Sequence, residues 1–299
     1  MWVVLGIISA FFLGIYDVMK KASLNKNAVL PVLFFATLTG AIVFLPFFIL
    51  SIAYPEYSGS IWYVHEVSGY THLLIILKSF LVLSSWTFAY YSFKHLPVTI
   101  ASPIRTSAPL WTLLGAILLF GEKLSILQWG GVSVCILSYY LFALAGKKEG
   151  INFARNKWVL FITIATILGS ISSLYDKFLI SHYDRMAVQV YYSFYMVLIL
   201  LPVLFIFWYP SRKKQDAFQW RNTIPLIGIT LAIADFVYFY SLSYSGSLIS
   251  ILSTLRRSSV IVSFAIGSQI FKEENLKLKF YILIGILAGI ILILLGSAS

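Results

Sequence analysis

Apolar runs long enough to cross a lipid bilayer recur through the chain. They lie at about 2–22, 28–52, 70–94, 97–120 and 126–146, and again at about 156–180, 186–208, 222–244, 247–271 and 278–297. About 20 residues of helix span a hydrocarbon core roughly 30 Å thick, so the pattern predicts an all-α integral membrane protein with ten transmembrane helices. Lipid offers no partner to an exposed backbone, which leaves little place for strands or long irregular segments. Composition agrees: of 299 residues, 60% are hydrophobic and 11% charged, where soluble domains run about 25% charged. A soluble enzyme is excluded. The first run starts without a basic leader and continues through Gly14 and Val18, so a first span is expected rather than a cleaved signal.

The chain divides at a basic connection. Lys147, Lys148, Arg155 and Lys157 surround Gly146 and Gly150, giving a first unit at 1–146, a linker at 147–155 and a second unit at 156–299. The units share an order of features: Tyr16-Asp17 answers Tyr175-Asp176, and Leu45-Pro46 answers Leu201-Pro202. Ser102 to Ser107 (S-P-I-R-T-S) answers Ser253 to Ser258 (S-T-L-R-R-S), and the same offset aligns Glu122 with Glu273. Five spans is an odd number, so the second copy enters the membrane upside down. Inverted repeats of this kind underlie many secondary transporters, whose sites lie between the halves near the bilayer midplane.

The stretch Pro109-Leu110-Trp111-Thr112-Leu113-Leu114-Gly115, followed by Leu118-Leu119-Phe120-Gly121-Glu122-Lys123-Leu124 and Gln128-Trp129-Gly130-Gly131, resembles the end of an EamA domain of the drug/metabolite transporter superfamily. The resemblance covers nearly the whole chain as two EamA-like halves. Its second half departs from the pattern: Gly246 stands where the first half has Pro97, Val260 replaces Pro109, and Phe271-Lys272-Glu273 replaces Phe120-Gly121-Glu122. The resemblance implies a ten-helix secondary transporter of small metabolites.

The formal net charge of +11 is distributed unevenly. Numbered in order, the odd connections carry fifteen basic residues, among them Lys20, Lys21, Lys26, Arg212, Lys213 and Arg221, whereas the even ones carry only Lys123 and Arg185. Such bias reads as membrane orientation and excludes a nucleic-acid partner. The positive-inside rule places the basic side in the cytoplasm and both termini outside the cytoplasmic membrane. The resemblance implies cytoplasmic termini instead; the charges are followed here.

Ionisable side chains inside hydrocarbon are costly and normally face a cavity or a partner. Arg105 and Arg256 occupy equivalent repeat positions, so two guanidiniums are expected to converge on one cavity, with Arg257 beside them. Arginine suits bidentate recognition of carboxylate or phosphate, which points to an anionic small-molecule substrate. Ser102 and Ser253 supply hydroxyls nearby, and Tyr16, Tyr175, Trp86, Tyr90 and Tyr238 are candidate aromatic lining. The Arg256-Arg257 pair is also similar to the basic pair in a late span of organophosphate/phosphate antiporters of the same superfamily. Asp17, Asp176 and Asp235 are candidate proton carriers or counter-ions. Asp17 has Lys20 and Lys21 on its own helix face, whereas Asp235 has no cation nearby in its helix and needs a partner from another.

Gly285 and Gly289 form a G-x-x-x-G that permits close helix approach, within the chain or in a homodimer. Cys135 is expected to pack in the interior. No cofactor or metal is expected: His65, His72, His95 and His182 fall in loops or near span ends, and no phosphate loop is present to drive a pump. Two other readings stay open: an exporter of neutral or aromatic amino acids, nucleosides or drugs, and a non-transporting membrane receptor or scaffold.

Overall fold

In a computed structural model of the chain, the described residues are 1–95, 104–105, 107–144, 156–214, 216–259, 261–263, 265–266 and 276–298. Ten α-helices of nine residues or more lie among them, and no strand. The first five are α1 Trp2–Leu24, α2 Val29–Ala53, α3 Gly69–His95, α4 Ala108–Phe120 and α5 Ile126–Leu144. The second five are α6 Lys157–His182, α7 Arg185–Val203, α8 Thr223–Leu242, α9 Ile249–Arg257 and α10 Leu276–Ala298. The linker at 147–155, together with Ser102 and Glu273, lies outside the described residues.

Among the described residues, six helices are long and apolar enough to cross a membrane, and Ala108–Phe120, Ile126–Leu141 and Tyr281–Gly296 form shorter apolar helices. Large apolar side chains point outward, with Leu118 at 82% and Ile126 at 90% exposure. Water penalises such a surface and lipid does not.

Polar residues set the ends of these rods. The Asp184 carboxylate accepts from the Ala187 amide at 2.7 Å to start α7, and the Asn156 side chain accepts from Trp158 at 2.9 Å to start α6. Gly121, at φ 62°, ends α4 in the left-handed conformation that glycine adopts most readily.

Two expected spans are interrupted. Over 247–271, α9 ends at Arg257: the amide and hydroxyl of Ser258 both donate to the Leu255 carbonyl, at 2.9 and 2.6 Å, tightening the chain into an i to i−3 turn. Over 97–120, Ile104 and Arg105 are helical, Ser107 forms a turn, and α4 runs from Ala108, with Pro109 in the first turn, where a missing N–H leaves no bond unmade. The expected span 186–208 also changes form: after Pro202 it continues as a π-helical turn, Leu204–Trp208.

The principal pairings follow a rule. Helix α1 packs on α8 as α6 packs on α3, α2 on α8 as α7 on α3, and α1 on α9 as α6 on α4. Helices α2 and α7, α4 and α9, and α5 and α10 meet directly. Each pairing maps onto another, or onto itself, when every helix is exchanged for the one five places away.

Small residues allow the closest crossings. A Cβ on Gly228 of α8 would stand 2.8 Å from the Gly40 nitrogen of α2, so only glycine fits there. On α10, Gly285 faces the Ser138 hydroxyl and Gly289 the Cys135 sulfur, each 2.5 Å from an added Cβ. The G-x-x-x-G thus packs against α5 of the same chain, the first of the two uses expected of it. Cys135 is fully buried in that seam, as expected of a packing residue.

The connections gather at two ends. At one, Arg221 donates to the carbonyls of Ala22 and Asn25 at 2.5 and 2.8 Å, and Asn27 donates to that of Gln219 at 2.7 Å, joining the first connection to the seventh. At the other, Arg185 donates to the Ile61 carbonyl at 3.1 Å, and Lys177 to the Ser247 carbonyl at 2.7 Å. The first and seventh connections therefore meet at one end, and the second meets the start of α7 at the other.

Candidate functional site

Near the middle of α2, α3, α7 and α8 the helices separate around a narrow cleft of about 40 Å³, room for water rather than for a whole metabolite in this conformation. Thr37 and Phe44 of α2, Trp86 of α3, Gln189 and Tyr192 of α7, and Asp235 of α8 line it. Two of these helices come from each half. Gly40 and Gly228, at the close crossing of α2 and α8, form part of its wall.

The wall is charged but paired. Asp235 accepts a hydrogen bond from Arg256 of α9 at 2.7 Å, with both side chains about four-fifths buried. The guanidinium carbon lies 4.0 Å from the centroid of the Tyr238 ring, a cation–π contact that further stabilises its charge. Deeper in, Lys78 of α3 donates to Asp176 of α6. The Lys78 ammonium also lies 4.4 Å from the Tyr192 ring and 5.0 Å from that of Phe239. Tyr192 thus touches both the cleft and the deeper pair.

A clasp at the even end holds α9 in place. Glu122, aimed by the Gly121 turn, accepts from the amides of Ile249 and Ser250 at 2.6 and 3.2 Å and from the Ser250 hydroxyl at 2.5 Å. A carboxylate at a helix N-terminus satisfies donors that have no partner in the helix and complements its dipole. Arg256 and Arg257 stand at the opposite end of the same short helix, where cations are favoured.

The expected site residues divide into groups. Trp86 and Asp235 line the cleft, while Tyr238, Arg256 and Asp176 stand behind its wall. Tyr16 and Tyr90 form a second centre, their hydroxyls 3.5 Å apart, with the Lys20 ammonium 4.4 Å from the Tyr16 ring. Arg257 interacts electrostatically with Arg105 and Asp17, and among the described residues no hydrogen bond or ion pair engages it. Ser253 is half-buried on α9.

Two expectations are corrected. Arg105 and Arg256 do not jointly line the cleft, because Asp235 draws Arg256 into a pair and Arg105 lies by Tyr16 and Arg257. Tyr175 does not mirror Tyr16 at a site: its hydroxyl donates to the Leu74 carbonyl at 3.2 Å and its ring stacks on Phe178. Asp17 pairs with Lys20 at 2.7 Å on its own helix, the local partner that the sequence spacing offered. Lys78, Tyr192 and Gln189 were not singled out from sequence. Of these only Lys78 carried a signal, as a lone charge within an apolar run.

Residues 1–144 match the model of the EamA-like transporter family. Among curated proteins, the S-adenosylmethionine uptake transporter of Rickettsia prowazekii (strain Madrid E) is 24% identical over 274 residues, which cover 91% of this chain and 84% of that protein. A protein of known crystal structure, 16% identical in sequence, superposes with a TM-score of 0.70 over 99% of this chain and 98% of its own. The resemblance read from the sequence holds for the first half, residues 1–144, and the apolar helices carry the multi-pass membrane character.

Proposed function

We propose that this multi-pass membrane transporter, whose first half is an EamA-like unit, works as two inverted five-helix repeats that carry a small metabolite across the cytoplasmic membrane by alternating access. The pairing rule of the helices supports this reading, since it is what a twofold exchange of the halves produces. The cleft lies where such an axis would pass, between α2 and α3 of one half and α7 and α8 of the other.

The observation that carries the substrate class is the Asp235–Arg256 pair at the wall of an aromatic cleft. A purely anionic ligand would have to compete with Asp235 for Arg256. A ligand with both an anionic and a cationic group exchanges one ion pair for two and leaves no charge unmatched, which matters because an uncompensated charge in this setting is expensive. Trp86, Tyr192 and Phe44 offer flat faces to a ring or an onium group, and Gln189 offers an amide. The anionic substrate inferred from sequence thereby narrows to a zwitterionic or onium metabolite with a carboxylate. S-adenosylmethionine, the solute named for the relative, has a carboxylate, an ammonium, a sulfonium and a purine, and is the first compound to test.

The experiment is exchange of labelled S-adenosylmethionine by the purified protein in proteoliposomes. Sugar phosphates, carboxylates, nucleosides and neutral amino acids serve as competitors. Saturable exchange that falls at least tenfold in both D235N and R256Q is expected. Exchange with none of these solutes would defeat the transport reading and favour a receptor or scaffold. Exchange confined to neutral solutes and indifferent to both substitutions would favour the exporter reading.

A further inference from the structure

We propose that Lys78 and Asp176 form the proton-carrying element that couples solute movement to a pH gradient, an inference that rests on the transport reading above. The pair joins the two halves, Lys78 from α3 and Asp176 from α6, and it is the deepest charge in the cluster: Lys78 is 2% and Asp176 7% exposed. A pair this deep is a weak stabilising device, because desolvation of both ions offsets most of their attraction and apolar residues of similar size would serve as well. Ionisable residues retained at membrane depth normally mark a pathway for ions or protons.

The surroundings of Asp176 support a switch. Besides Lys78 of α3, it is faced by Tyr192 of α7, Asp235 and Tyr238 of α8 and Arg256 of α9, while α4, which also packs on α6, has no titratable residue. Two cations balance two carboxylates in this cluster, so one added proton leaves one positive charge unmatched.

A proton arriving from one side forms an O–H bond on Asp176 and breaks the ionic contact with Lys78. The ammonium keeps its three protons and remains between the Tyr192 and Phe239 rings without a counter-ion. An arrangement in which α3 and α6 part and water reaches Lys78 is then favoured. Release of the same proton to the other side restores the carboxylate and the pair. Each cycle moves one proton, with no electron transferred and no bond to the solute. Because Tyr192 also lines the cleft, the occupant of the cleft bears on the ring that covers Lys78.

The test uses the full-length protein in proteoliposomes loaded with a pH-sensitive dye, with S-adenosylmethionine as probe. In the wild type, an imposed pH gradient is expected to drive accumulation, and solute influx to shift the lumenal pH. The double variant K78Q/D176N, which removes both charges together and so strands neither, should keep exchange within severalfold and lose gradient-driven accumulation at least tenfold. Wild-type exchange without proton movement, or full accumulation by the double variant, would overturn the proposal. Infrared difference spectra of the purified protein supply a readout that needs no solute. A protonated-carboxyl band that grows on acidification should vanish in D176N and persist in D235N; persistence in D176N would overturn the proposal. A wild type that exchanges no solute would defeat the transport reading, and the infrared titration would still decide the fate of the pair.

Discussion

Asp235 and Arg256 sit 21 residues apart on adjacent helices, and their side chains meet at 2.7 Å beside the cleft, with the guanidinium resting on the Tyr238 ring. Removing one member of such a pair strands the other. D235N and R256Q are each expected to lower the thermal stability of the purified protein, and D235N/R256Q to lower it by less than the sum of the two. A coupling energy of about 1–3 kcal/mol from the double-mutant cycle is the expected outcome. Additive losses would mean that the two groups do not interact.

Gly228 and Gly130 offer a contrast on the same kind of background. A side chain at Gly228 would meet α2 backbone, 2.8 Å from the Gly40 nitrogen, whereas nothing stands within 4 Å of a Cβ at Gly130. Gly228→Ala should cost about 1–3 kcal/mol through forced separation of α2 and α8. Gly130→Ala should be neutral or stabilising by up to about 1 kcal/mol, since alanine is the better helix former. Chemical unfolding in detergent measures both.

Glu122 secures the start of α9 through three hydrogen bonds. Glu122→Gln keeps the shape and loses the charge. Hydrogen exchange at the amides of Ile249 and Ser250 should rise about tenfold, equivalent to about 1.4 kcal/mol of local stability. Unchanged protection would show that the carboxylate is not what holds the turn.

Orientation follows from the charge bias. The first and seventh connections contact each other through Arg221 and Asn27, and the sixth contacts the second through Arg185. Reporters active only outside the cytoplasm should therefore be active at either terminus. Silence at both ends would invert the protein and place the basic end outside.

The sequence made some of this legible and hid the rest for physical reasons. Asp235 had no cation within reach on its own helix, which required a partner elsewhere, and Arg256 supplies it. Asp17 had Lys20 one turn away and uses it. Lys78 and Asp176 are 98 residues apart, and no local pattern records a bond made by the packing of two distant helices. The shared offset of Glu122 and Glu273 was visible, yet the capping role of Glu122 was not, because it serves a helix 127 residues further on. The break at Ser258 was concealed as well: serine tolerates both helix and turn, and only the bonds to Leu255 reveal which one it takes.

The glycine crossing of α2 and α8 leaves the two backbones in contact beside the cleft. On the alternating-access reading proposed above, such a point acts as a fulcrum. Movement of one half against the other must swing the helix ends while the junction stays still, so spin labels placed near either mouth should change separation and labels flanking Gly40 and Gly228 should not. On that reading one wall of the cleft keeps its spacing while access passes from one mouth to the other.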